Sequence, residues 1–353
     1  MVPVTAVAVI GAGAAVGPVV ADASPDLPDI TPQQLLTNVQ TAKVDGMSGT
    51  VRMTADLGLP ALPGGGQGPN EMLDLLAGKT TLRVAYAGPD KARVSILDDM
   101  AERVFVTDGS TAWAYDSAER EARKFTVPAH DTTRERPAGM PDPQTIAKRF
   151  LDAVDPSTQV TVTGTRSVAG RDAYLLTLTP RTDRTTVGSV TLAVDAREWV
   201  PLRVTVMPRS GDEPAIQVGF SSVSFQVPQA STFSFSPPKG TEVTVEPEHA
   251  KPDRPAVPRK TPEQKTPDHK ATKERPTVIG TGWDAVWVGR WNGANDPQLE
   301  QLLAAAPTVS GSWGSGKVLT SRMVSALLTD DGRVLVGLVP TSVLEQAAVK
   351  APR

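Results

Sequence analysis

The run Gly311-Ser312-Trp313-Gly314-Ser315-Gly316-Lys317 has the spacing of a phosphate-binding loop, in which backbone N–H groups cradle phosphates and a lysine reaches them. Val318 follows where Ser or Thr would hold Mg²⁺, and Pro307 precedes the run. The segment Met323–Val339 then turns at Asp331-Gly332 instead of continuing as a long helix. The run therefore reads as a glycine-rich connection, and no nucleotide is expected. Ser236-Pro237-Pro238-Lys239 matches Ser-x-x-Lys spacing, but two prolines prevent the helical turn that would bring the lysine to the serine. The pairs Asp98-Asp99 and Asp330-Asp331 read as turn carboxylates, since neither has the spaced oxygen ligands of a calcium loop. No Gly-x-Ser-x-Gly occurs, and Gly11-Ala12-Gly13 sits in an apolar N-terminal run and not after a strand.

Composition narrows the chemistry further. The 353 residues include no cysteine and three histidines. Without cysteine there is no disulfide scaffold, thiolate zinc site, Cys nucleophile or lipidated N-terminal Cys. His249 and His269 fall in a stretch read below as linker, which leaves His130 as the one imidazole near any fold. No catalytic residue, metal-ligand set or cofactor is expected, and the chain reads as a non-enzyme. Lys+Arg 36 against Asp+Glu 39 gives no electrostatic case for nucleic acid.

Two stretches divide the chain. Residues 1–21 carry no charge, and Ala21-Asp22-Ala23 after the apolar run has the form of a signal-peptidase site. Residues 1–23 are expected to be a cleaved export signal, with a retained membrane anchor as the competing reading. Either way the rest of the chain is placed outside the cytoplasm, at the cell envelope. Glu246–Thr277 holds seven prolines, eight Lys/Arg, six Asp/Glu and a single large aliphatic, Val257. Such a segment cannot bury enough apolar area to offset its ordering entropy, so a disordered linker is expected at 246–277. It separates a large domain, 24–245, from a small α+β domain, 278–353, that holds four of the six tryptophans. A domain this small is marginal alone, so docking onto the large domain or a partner is expected.

Within the large domain, Thr31-Pro32-Gln33-Gln34 is a capped helix start, with Leu35, Val39 and Ala42 on one face. Asp142-Pro143 opens a second helix carrying Ile146, Phe150, Leu151 and Val154. Nearly everything else alternates with period two at hairpin spacing, from Leu82/Val84/Tyr86 through Val223/Phe225. Eight to eleven strands with two helices imply a strongly curved, mostly antiparallel open barrel or half-barrel, with a helical lid enclosing an apolar space. The segment 58–79 between the first two strands is rich in Gly and Pro and then carries Met72, Leu75 and Leu76 on one side of a short helical turn. It reads either as a mobile lid over a ligand or as a surface loop packed on the sheet edge. Trp113 and Tyr115 on one hairpin read as ordinary core or as ligand wall.

The run Val190–Val245 carries Val-Thr-Leu-Ala-Val-Asp, then Val200-Pro201-Leu202-Arg203, and closes with Phe233-Ser234-Phe235-Ser236-Pro237-Pro238-Lys239-Gly240-Thr241-Glu242-Val243. This resembles the C-terminal half of the LolA/LolB-type lipoprotein carriers and the related RseB/MucB-type sigma-factor regulators. The hairpin at Ala169–Leu178 and the order of signal, Pro-capped helix and Gly49-Thr50-Val51 also resemble that superfamily, most closely the secreted form of high-GC Gram-positive bacteria. The resemblance covers about 24–245 and rests on a distributed pattern. It implies an incomplete barrel with a helical lid over a cavity for lipid or lipoprotein acyl chains, acting as carrier or chaperone. An RseB-like sensor acting on an anti-sigma factor, or contact with another envelope membrane protein, is the alternative. On the carrier reading, candidate ligand and lid residues are Leu35, Val39, Met72, Leu75, Leu76, Trp113, Tyr115, Ile146 and Phe150.

Overall fold

A computed structural model describes residues 24–58, 78–98, 101–127, 157–246, 277–291 and 302–352. The helix begins where its capping box predicts: Thr31 Oγ1 accepts from the Gln34 N–H at 3.2 Å, while the Gln34 side chain accepts from the Thr31 N–H at 3.0 Å. With Pro32 at the first helical position, α1 runs Pro32–Thr41 and buries Leu35 and Val39.

Eleven strands follow by alternation: β1 Gly46–Ala55, β2 Lys79–Ala87, β3 Lys91–Leu97, β4 Glu102–Asp108, β5 Thr111–Asp116, β6 Glu121–Thr126, β7 Thr158–Val168, β8 Arg171–Pro180, β9 Val187–Asp195, β10 Pro201–Pro208 and β11 Ile216–Ser224. A last strand, β12 Glu242–Val245, lies parallel to β6; every other pairing is antiparallel. The order is β12-β6-β5-β4-β3-β2-β1-β11-β10-β9-β8-β7. Two meanders, β1–β6 and β7–β11, are thus joined edge to edge by the β1–β11 pair. The result is a curved sheet that does not close, with β12 and β7 as its edges.

The expected strongly curved, mostly antiparallel open sheet is present and is not closed into a barrel; among the described residues it has twelve strands, where eight to eleven were expected. Only α1 among the described residues covers it as a helix; the expected second helix with Ile146 and Phe150, and residues 59–77 with Met72, Leu75 and Leu76, lie outside them, as do residues 1–23 and nearly all of 246–277.

The second sheet contains β13 Thr277–Ile279, β14 Val286–Arg290, β15 Thr308–Gly311, β16 Gly314–Thr320, β17 Ser325–Thr329 and β18 Arg333–Gly337, in the order β13-β14-β18-β17-β16-β15. A helix α2, Thr341–Lys350, packs Val343, Leu344, Ala347 and Ala348 onto it. Trp283 sits in a 3-10 turn held by Thr281 and Asp284, and the strand after it starts at Val286. The guanidinium of Arg333, 1% exposed, ties this unit together: it donates to the Ala348 carbonyl at 2.8 Å, the Trp313 carbonyl at 3.2 Å and the Asp331 carboxylate at 2.9 Å.

The two sheets touch along one end of the larger. Arg322 donates to Asp56 at 2.6 Å and to the Glu213 carbonyl at 2.8 Å, and its own N–H reaches the Leu57 carbonyl at 2.9 Å. Arg184 donates to Asp284 and Gln346, Thr185 and Thr186 bond to the Leu338 and Met323 carbonyls, and the Trp283 indole N–H bonds to Thr158. Between these polar ties lies an apolar cluster of Leu57, Val187, Ala215 and Met323, with Trp283 and Val324 against it.

Candidate functional site

In a pleated strand alternate side chains share a face, so the register of the pairings assigns every residue of the large sheet to one side. Leu178–Val190–Val206–Ile216–Ala55 form one row across five strands, and Leu176–Leu192–Val204–Val218–Met53 the next. Phe220 and Val51 continue it, and the same side then runs on through Leu82, Val84, Val94, Ile96 and Phe105. The side is therefore apolar across eight adjacent strands, β8 through β4. A bulge at Ser221 keeps Val223 on this side although its number breaks the parity. Val51, Leu82, Val84, Val94, Ile96 and Val218 are half-buried.

Helix α1 lies on this face at one side only. Leu35 and Val39, 0% and 1% exposed, pack on Tyr174, Leu176, Leu178, Leu192 and Val194 of β8 and β9. Beside α1 opens a groove of about 710 Å³, bounded by residues 27–30, the outer side of α1 at Gln33, Gln34, Thr37 and Asn38, and the β9–β10 turn. Its volume falls within the roughly 300–1,000 Å³ common for ligand sites. Tyr174 and Trp199 stack in its wall with ring centroids 6.1 Å apart and planes 6° apart.

Trp199 holds that position against its own backbone preference, with φ +57°, a conformation bulky side chains rarely adopt. The turn that imposes it is fixed by Asp195, whose side chain is 1% exposed. Asp195 accepts from Arg171 Nε and Nη2 at 2.7 and 3.0 Å and from the Arg197 and Glu198 amides at 2.9 and 2.7 Å. Burial opposes its ionisation, but the Arg171 hydrogen bond, the two amides and the Arg171 charge outweigh it and hold the carboxyl below its ordinary value. Arg171 in turn is raised by the same contact and lies over the Phe225 ring at 4.9 Å. These groups are a structural clamp on the turn, with no free nucleophile or base among them.

The four predicted site residues that are described fall on the two opposite sides of the large sheet. Leu35 and Val39 face the aliphatic side. Trp113 and Tyr115 pair through Val106 and Val104 onto the opposite side, where they pack on Phe235 at 5.7 and 5.6 Å. That far side is closed by Phe233, 2% exposed, over Ala85, Ala87, Val104 and Val106, and Arg93 donates to the Thr232 carbonyl. Met72, Leu75, Leu76, Ile146 and Phe150 lie outside the described residues. Sequence reasoning missed the groove and Trp199: the signal was Asp195 opening a five-residue turn, which reads as a turn but carries no mark of the aromatic it orients.

The other chemical motifs resolve as turns. Gly311 and Gly314 pair across the β15–β16 hairpin, and a strand, not a helix, follows Lys317. Asp331 accepts from Arg333 and Thr329, which hold its carboxyl down at about 2, and Asp330 accepts from Ser315. Asp98 pairs with Arg103 at 3.2 Å. Among the described residues no group of three His, Asp or Glu is placed to hold a metal ion, and no helix is long and apolar enough to cross a membrane.

No family model and no curated protein matches the chain. Among solved structures, MucB of Pseudomonas aeruginosa in complex with MucA is similar at 16% identity, covering 90% of this chain and 96% of that one, with a TM-score of 0.42. A LolA-superfamily protein from Nitrosomonas europaea is similar at 13% identity over 59% of this chain and 99% of that one, with a TM-score of 0.22. An uncharacterized protein from Thermus thermophilus is similar at 12% identity over 61% and 98%, with a TM-score of 0.34. The structural neighbours are thus MucB and LolA-superfamily proteins, the group the sequence resembles. They lend no support to the expected Gram-positive placement.

Proposed function

We propose that this protein binds the hydrocarbon chain of a lipid or lipoprotein against the α1 side of the large sheet, as a non-enzymatic carrier or chaperone outside the cytoplasm. The observation that carries the reading is the continuity of that face: apolar side chains run across eight adjacent strands, β8 through β4, and among the described residues helix α1 covers it only at the β7–β9 end. Burial alone supplies the affinity, about 0.8 kcal/mol for each methylene taken from water, so no covalent chemistry and no cofactor is needed. Residues 1–23 would serve as export signal or anchor, 24–245 as the binding domain, 246–277 as linker and 278–353 as the accessory domain. Native mass spectrometry of the full chain as purified, together with uptake of a fluorescent fatty acid, tests it. Bound lipid, or saturable uptake, is expected; absence of both overturns the proposal.

A second reading is favoured by the attachment of the small sheet to the end of the same face. On it, occupancy is passed by protein contacts to an anti-sigma factor, the partner that the sequence's resemblance to the RseB/MucB-type regulators implies. A sigma-factor and anti-sigma pair encoded beside this gene would favour that reading over a shuttle.

A further inference from the structure

The aliphatic face has an end. Its outermost row includes Val190, Val206 and Ile216, and these three pack on the cluster that contains Met323. Met323 belongs to the β16–β17 turn of the small sheet, 1% exposed and more than a hundred residues distant in sequence from the row it meets. The turn is rigid. Ser321 Oγ accepts from the Met323 and Val324 amides at 3.4 and 2.9 Å, and the Ser321 N–H bonds to the Val324 carbonyl at 2.8 Å. It is also pinned to the large sheet from both sides. Arg322 holds Asp56, the Leu57 carbonyl and the Glu213 carbonyl, while Thr186 donates to the Met323 carbonyl at 2.5 Å. An apolar side chain fixed by its neighbours at the end of an apolar floor is a wall.

We propose that Met323 is the end stop of the hydrocarbon site and sets the length of chain that the α1 face accepts. This rests on the binding function proposed above and adds to it a length-determining residue, contributed by the small sheet. The small sheet is then part of the binding site and not only an attachment. Replacing Met323 by alanine removes Cγ, Sδ and Cε, which opens room along the floor for about three more methylenes. Each methylene newly buried strengthens binding about fourfold.

The test uses the full chain and a series of straight-chain saturated fatty acids from decanoate to eicosanoate, ranked by displacement of a fluorescent fatty acid. For the native protein, affinity is expected to rise about fourfold per methylene up to one length and then to level or fall. In Met323→Ala the break is expected to move to longer chains by about three methylenes. Met323→Val, which draws the side chain back from ε to γ while keeping a branched aliphatic in the cluster, is expected to move it by a smaller amount in the same direction, and it decides the matter if the alanine variant does not fold. Binding with the same length profile in the native protein and the folded variants overturns the end stop while leaving the hydrocarbon site standing. No binding of any chain to the native protein overturns the site and the end stop together.

Discussion

Replacing Asp195 by alanine tests whether the turn beside α1 is built as described. The substitution removes a bidentate partner of Arg171 at 2.7 and 3.0 Å and the acceptor of two turn amides at 2.9 and 2.7 Å. Breaking a buried ion pair from one side costs about 3–5 kcal/mol, and a hydrogen bond to a charged group contributes about 1.5–3 kcal/mol. Arg171 is 26% exposed and keeps solvent and the Phe225 ring, which lowers the first figure. We expect about 2–4 kcal/mol of lost stability, a urea midpoint lower by about 1–2 M. Near-ultraviolet circular dichroism from the Tyr174–Trp199 stack should weaken with it, since that turn imposes φ +57° on Trp199. Asp195→Asn keeps an acceptor for the amides and should lose roughly half as much. The sign with pH follows from the depressed carboxyl: its stabilising contribution is complete above the unfolded value near 3.9 and is lost as pH falls through the lower folded value. The gap between native protein and Asp195→Asn should therefore be constant from neutral pH down to mildly acidic pH and close below about pH 4. An alanine variant within about 0.5 kcal/mol of the native protein, or one with an unchanged aromatic signal, would refute the clamp.

Three further outcomes are expected. Arg333→Met leaves the Ala348 and Trp313 carbonyls and the Asp331 carboxylate without their donor, and should cost about 2–4 kcal/mol in thermal unfolding followed by the small sheet's tryptophans. Asp331, held down at about 2 by that guanidinium, contributes above the unfolded value near 3.9, so part of the small sheet's stability should fade as pH drops from 4 toward 2, a loss that Asp331→Asn should remove. Phe233→Ala should cost about 3–5 kcal/mol in urea unfolding, because the ring is 2% exposed over the far face, yet the folded fraction should take up fatty acid as before.

Much of the strand pattern was legible because half-buried strands alternate: Leu82/Val84/Tyr86 and Tyr174/Leu176/Leu178 announce both their strands and their shared faces. The α1 start was legible through Thr31, Pro32 and Gln34, which act within one turn of one another. Strand β6 was not, since Glu-Ala-Arg-Lys-Phe-Thr offers little alternation when only Ala122 is fully buried. Strand β12 has all four residues exposed and is held by main-chain pairing alone, which leaves no trace in side-chain type. The split of the candidate site was hidden for a different reason. Whether Trp113 shares a side with Leu176 depends on register carried through eight successive strand pairings, and a one-residue slip in any of them reverses the answer. The joint between the sheets depends on partners such as Arg184 and Asp284, whose charges look like ordinary surface groups until the chain returns to bring them together.

The central claim is that hydrocarbon lies on the α1 side of the large sheet. A fatty acid bearing a photoreactive diazirine on its chain, bound to the full-length protein, irradiated and mapped by peptide mass spectrometry, tests it most directly. Adducts are predicted on Val51, Val84, Val94, Ile96 and Val218, competed away by unlabelled fatty acid. Adducts confined to the far side at Trp113 and Tyr115, or none that unlabelled fatty acid competes away, would contradict it.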